Sequence, residues 1–173
     1  MRSIAFTFVL AFLAIWGCTQ IGGSSAAAGP VTREFAAPRA KVFAAAAKDA
    51  DGGGLFTKIS DMGTLQIYEH KLTPTEISRS KVAGLLKPGA RFEIRIEPSR
   101  RITSTLIGGP AGEGFKIVFD FVDGAQPDTT LVTATVTSKA VLPGDAGKDA
   151  EREFRRTAGK LVDEQLRVIA RKV

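Results

Sequence analysis

The chain has one cysteine, one histidine, one tryptophan and one tyrosine, and each scarcity excludes something. A lone cysteine, Cys18, cannot close a disulfide within the chain, so the folded part must be held by packing. One histidine and one cysteine cannot supply the ligands of an ordinary zinc site. Asp120, Asp123 and Asp128 lack the spacing of a calcium loop, so neither a metal nor a cofactor is expected. No Gly-x-Ser-x-Gly elbow is present for a serine nucleophile. Any imidazole acid or base would have to be His70. What is there is ordinary for a globular protein: 44% hydrophobic and 24% charged residues in 173, enough for one domain with a sizeable core.

The amino terminus carries an address. Arg2 precedes an apolar run from Ile4 to Trp16, short for a membrane span and of the length of a signal-peptide core. It ends in Ile15-Trp16-Gly17-Cys18, which resembles the lipobox of bacterial lipoproteins. That resemblance implies a signal peptide over residues 1–17, lipidation of Cys18 and attachment to a membrane through it. Thr19 after the cysteine, rather than Asp, resembles lipoproteins sorted to the outer membrane and facing the periplasm. Two alternatives stay open: cleavage after Ala28, which would release the protein into the periplasm, and retention of Ile4–Trp16 as an uncleaved anchor. Residues 18–30, rich in Gly, Ser and Ala, read as a flexible tether.

From Val31 onward the pattern is that of a sheet framed by two helices. Val31–Phe35 reads as a strand, and Ala36-Ala37-Pro38 turns into a helix running to about Ala50 that buries Val42, Phe43 and Ala46. Leu55–Ile59 is too short to assign between helix and strand. Leu65 and Ile67 alternate with Gln66 and Tyr68, and Glu76–Val82 reads as a more polar strand. Phe92, Ile94 and Ile96 alternate with Arg91, Glu93, Arg95 and Glu97, the clearest strand with one buried face. Ile102–Ile107, a Phe-rich strand through Phe115, Ile117, Phe119 and Phe121, and Thr129–Val141 complete the sheet. Asp149–Val173 is an amphipathic helix: Phe154, Ala158, Leu161, Val162, Leu166, Ile169 and Val173 share one side, and Arg152, Arg156, Lys160, Arg167 and Arg171 the other. The expectation is an α+β fold, an antiparallel sheet with one apolar face covered by the long last helix.

The run Val31-Thr-Arg-Glu-Phe-Ala-Ala-Pro-Arg-Ala-Lys-Val-Phe43 resembles the opening of the START-like, or SRPBCC, superfamily. There a first strand passes through an Ala-Pro turn into a helix carrying Val-Phe, and a curved sheet grips the long C-terminal helix. The resemblance covers residues 31–173 by element order, with Leu55-Phe56 standing where an aromatic residue, commonly Trp, follows the first helix. It implies a helix-grip domain with a cavity between sheet and helix for a hydrophobic or lipid-like small molecule; some members are cyclases or hydrolases and many only bind.

The residues expected to line such a cavity are Phe92, Ile94, Ile96, Phe115, Ile117, Phe119, Phe121, Leu161 and Leu166. An enzyme of the polyketide cyclase or hydrolase kind would need an inward acid–base pair, for which Tyr68, His70 and Glu76 are the candidates; His70, between Glu69 and Lys71, reads as a surface residue. Glu93 and Glu97 read as part of a solvated, salt-bridged outer face. The glycine-rich Gly108–Gly114 leads into a strand rather than a helix, and Gly144–Lys148 has the wrong spacing for a phosphate loop. The net charge is +6, and +5 once residues 1–17 are removed; on an exported chain this favours anionic lipid headgroups over nucleic acid, and the basic helix face, interleaved with Asp163 and Glu164, reads as solvated. The reading is a lipid-anchored binder without catalysis. An enzyme and a structural envelope protein that docks another protein are the alternatives.

Overall fold

The alternation that begins at Arg91 builds one strand of a seven-stranded sheet. The computed structural model describes residues 30–48, 56–75, 89–108, 115–138 and 145–173. Its strands are β1 (Val31–Phe35), β2 (Thr57–Asp61), β3 (Gln66–Lys71), β4 (Arg91–Glu97), β5 (Arg101–Ile107), β6 (Phe115–Asp123) and β7 (Thr130–Ser138). The helices defined among the described residues are α1 (Arg39–Ala47), after β1, and α2 (Asp145–Lys172), after β7. The sheet order is β1-β7-β6-β5-β4-β3-β2, and every pairing is antiparallel. With α2 against one face, this is the helix-grip α+β arrangement expected from the sequence.

Short turns join β2 to β3 and β4 to β5. Glu97 O accepts from Arg100 N across Pro98-Ser99, with Ser99 at φ 57°. Between β2 and β3 the Asp61 carboxylate accepts from Gly63 N, and Gly63 at φ 72° supplies the left-handed step. The segment Leu55–Ile59, ambiguous by periodicity, resolves as the edge strand β2 from Thr57 on. A bulge between Lys58 and Ser60 breaks its register and leaves Ile59 exposed, a form that discourages edge-to-edge pairing.

The helices lie over the sheet's apolar side. Pro38 precedes α1, whose Val42 and Phe43 are buried; the Phe43 and Phe121 rings meet edge to face at 5.1 Å and 73°. In α2 the expected stripe is buried at Ala158, Leu161, Val162, Leu166 and Ile169, all under 4% exposed; Val173, just past the helix, is half-buried, and the side chain of Phe154 lies outside the described residues. Gln165 and Val168 join it, so the buried face is wider than the sequence pattern indicated. Helix α2 starts at Asp145 rather than Asp149, a turn early, with Gly147 inside the helix. Its Arg152, Arg156, Lys160, Arg167 and Arg171 face away from this stripe, as expected. Thr130, fully buried, ties β7 to the turn before α1 by donating its hydroxyl to Ala37 O at 2.7 Å.

Several expectations fall outside the described residues: the signal peptide and Cys18, the tether, the helix end at Ala50, the strand Glu76–Val82, and the loop from Gly109 to Gly114. Among the described residues no helix is long and apolar enough to cross a membrane.

Candidate ligand-binding face

Strand register decides which side chains share a face, because the side-chain period is two. One row runs Lys58, Tyr68, Ile94, Ser104, Ile117, Val136 across β2 to β7. The row beside it holds Gln66, Ile96, Ile102, Phe119 and Ala134, and the row on the other side holds His70, Phe92 and Leu106. These three rows, with Phe121 and Val132, form the inner face. Of the residues expected there, Phe92, Ile94, Ile96, Ile117, Phe119, Phe121, Leu161 and Leu166 are all buried in one cluster. Phe115 pairs with Leu106 in register; its side chain lies outside the described residues.

The backbone of α2 runs closest to β7 and then β1, and α1 lies against β6. The inner face of β3 to β5 is shielded from water as well, in the same apolar cluster as Leu161 and Leu166. This half of the face is also where its polar groups are. Gln66 and Tyr68 are half-buried, and the Tyr68 hydroxyl reaches Gln66 Oε1 at a long 3.5 Å. Lys58 Nζ stands 5.4 Å from the Tyr68 ring centroid and is held by Asp61 at 2.9 Å. Lys58 and Asp61 are both exposed, and their pairing raises the lysine and lowers the carboxylate, which also accepts from Gly63 N.

His70 corrects its sequence reading. Rather than lying at the surface, it is 9% exposed within β3, paired in register with Phe92 and set edge to face on Phe56 at 5.7 Å. The strand's parity carries it inward with Tyr68, so two of the three acid–base candidates share the inner face. Glu76 lies outside the described residues. Parity also turns Ile67, half-buried, to the opposite side of β3 from Tyr68.

The outer face is salt-bridged, as the alternation in β4 predicts, but Glu93 is not solvated. It is 7% exposed beneath a bond from Arg95, directly across from Glu69, which Arg91 Nε holds at 2.8 Å. Two carboxylates facing each other across adjacent strands need such flanking arginines. Glu97 is the solvated member, with Arg100 at 3.1 Å. Among the described residues no three His, Cys, Asp or Glu side chains gather as a metal site requires.

The residue that sequence reasoning missed is Ser104. It is 6% exposed on the inner face between Ile94 and Ile117, and its side chain makes no hydrogen bond to any described residue. The signal was present: counting by twos from Ile102 to Leu106 places Ser104 on their side, but Thr103 and Thr105 around it blur the alternation.

The chain matches no known protein family and no curated protein. Solved structures similar to it include the protein TTHA0849 from Thermus thermophilus, at 14% identity over 83% of this chain and 94% of that one, with a TM-score of 0.48. The di-domain ARO/CYC StfQ of the steffimycin biosynthetic pathway is 12% identical over 83% of this chain and 49% of its own, with a TM-score of 0.47, so this chain spans about half of it. The Aha1 protein of Colwellia psychrerythraea is 14% identical over 78% and 93%, with a TM-score of 0.37. The fold assignment rests on the strand order and the helix placement described above.

Proposed function

We propose that the chain is an exported lipoprotein whose domain, residues 31–173, belongs to the START-like superfamily and holds a hydrophobic or lipid-like small molecule between sheet and α2 without transforming it. The observation that carries this reading is the continuous apolar inner face from β3 to β7, buried together with Leu161 and Leu166 of α2. A mostly apolar wall with a few polar groups at one end suits a small apolar guest. Phe92, Ile94 and Ile96 would form its floor, Ile117, Phe119 and Phe121 its inner wall, and Leu161 and Leu166 its roof. Cys18 would carry acyl chains and residues 18–30 would serve as tether, placing the domain at the periplasmic side of the outer membrane.

Native mass spectrometry of the full chain, followed by organic extraction, tests the binding. A bound apolar molecule is the expected result; protein that stays empty at every lipid concentration overturns it. The intact mass of the mature protein tests the anchor separately. A chain starting at Cys18 with acyl chains supports it, and one starting at Gly29 shows release into the periplasm instead.

A second reading, an enzyme of the cyclase or hydrolase kind, draws on the inward placement of Tyr68 and His70. It predicts that a molecule recovered from the protein differs in mass from the one supplied, and that His70→Gln abolishes the difference while binding persists. Recovery of unaltered ligand from the wild-type chain refutes it.

A further inference from the structure

The polar groups of the inner face gather on its β3 to β5 half, where Gln66 and His70 stand in the rows on either side of Tyr68, and Ser104 shares the row of Tyr68. Tyr68 and Ser104 occupy the same cross-strand row with Ile94 between them, about 10 Å apart at the usual strand spacing. Ser104 is nearly inaccessible to water and makes no side-chain hydrogen bond to a described residue, and the Tyr68 hydroxyl has only its long contact with Gln66. Neither hydroxyl is sealed off, so a guest that displaces water from them must match them, because leaving a hydroxyl desolvated and unpaired is costly. The cation of this row, Lys58, stands at the exposed end beyond Tyr68 and is already paired with Asp61. A carboxylate guest reaching Ser104 would leave that pair behind and lie between Ile94 and Ile117 with neutral hydroxyls as neighbours. Desolvating a charge on those terms costs far more than desolvating an alcohol or a carbonyl.

Accepting the apolar cavity proposed above, we infer that its guest is an uncharged apolar molecule bearing an alcohol or carbonyl oxygen, oriented by Ser104 and Tyr68, and not a free fatty acid. The hydrocarbon body lies along Ile117, Phe119 and Phe121, and the oxygen points toward β3. Ser104 and Tyr68 select this orientation; the apolar wall supplies the affinity.

The test is displacement of the fluorescent hydrocarbon diphenylhexatriene from the full chain by dodecan-1-ol, dodecanoate and dodecane at pH 7. Dodecan-1-ol is expected to displace the probe at least tenfold more readily than dodecanoate. Ser104→Ala and Tyr68→Phe should each weaken dodecan-1-ol about threefold to tenfold, the worth of one neutral hydrogen bond, and leave dodecane and the probe within about twofold. Thermal unfolding of both variants checks that they are folded. Probe binding with dodecanoate preferred, or with the alcohol unaffected by either substitution, overturns the oriented site and leaves the cavity standing. A folded wild-type chain that binds no diphenylhexatriene overturns both.

Discussion

Phe121→Ala is the most direct probe of which way the sheet faces. Phe121 is 1% exposed and meets Phe43 of α1 edge to face at 5.1 Å, so truncation removes a ring from the junction of sheet and helix. Burial transfer and the cavity left behind together put the cost at about 3–5 kcal/mol. A domain of this size holds about 5–15 kcal/mol in all, so about a fifth or more of the stability goes. With a urea slope of about 1.5 kcal/mol per molar, the unfolding midpoint falls by roughly 2–3 M. The adjacent Val122 is 48% exposed on the opposite face, and Val122→Ala should cost under about 1 kcal/mol, mostly strand preference. A double-mutant cycle with Phe43→Ala should return a coupling of about 0.5–1.5 kcal/mol for the ring pair. Equilibrium urea unfolding of the full chain, followed by circular dichroism, measures the wild type and each of these variants. If Phe121→Ala costs under about 1.5 kcal/mol, or no more than Val122→Ala, the assignment of faces is wrong.

Three further outcomes are expected. Thr130→Val keeps the shape but strands the Ala37 carbonyl, which accepts at 2.7 Å from a fully buried hydroxyl, and should cost about 1–3 kcal/mol in the same unfolding assay. Gly124→Ala should lower the melting temperature by several degrees, since a Cβ there would meet Thr129 Oγ1 at 2.2 Å and Glu34 Oε1 at 2.6 Å; about 1–3 kcal/mol of overpacking is the expected scale, and an unchanged melting curve would show that the turn gives way. The Asp61 carboxyl should titrate below its ordinary value of 3.8, chiefly through Lys58, so the small stabilisation from the pair is present above that value and lost as pH falls through the depressed folded one; carbon-detected NMR of Asp61 should show its midpoint rising in Lys58→Ala.

How far the sequence reveals this depends on how strongly each segment's pattern is tied to one environment. Strand β6 and helix α2 were legible because a single set of apolar residues, Ile117, Phe119 and Phe121 or Leu161, Leu166 and Ile169, has one face on which to be buried. In β4 the faces were legible, but the burial of Glu93 was not, because it depends on Glu69 and Arg95 meeting across strands whose register no local pattern states. Strand β3 misled for the same reason: Ile67 and His70 have intrinsic preferences that the pairing of His70 with Phe92 overrides. At the candidate site the apolar wall could be read directly, whereas Ser104 could not, since a serine between two threonines looks like a solvated stretch until its neighbours on both sides are known.

The pairing of β1 with β7 has a consequence for the order in which the chain can acquire its shape. Thr32 and Thr133 meet although 101 residues separate them, so the earliest-made strand is seated against the latest-made one. Closing so long a loop costs about 2 kcal/mol more entropy than closing one of ten residues, and folds built on such distant partners mature slowly. Until Thr130–Ser138 has been synthesised, Val31–Phe35 has no neighbour to bond with, and a chain cut short before Thr130 leaves it stranded for good. Such a chain stays open along this edge of the sheet until β7 is made.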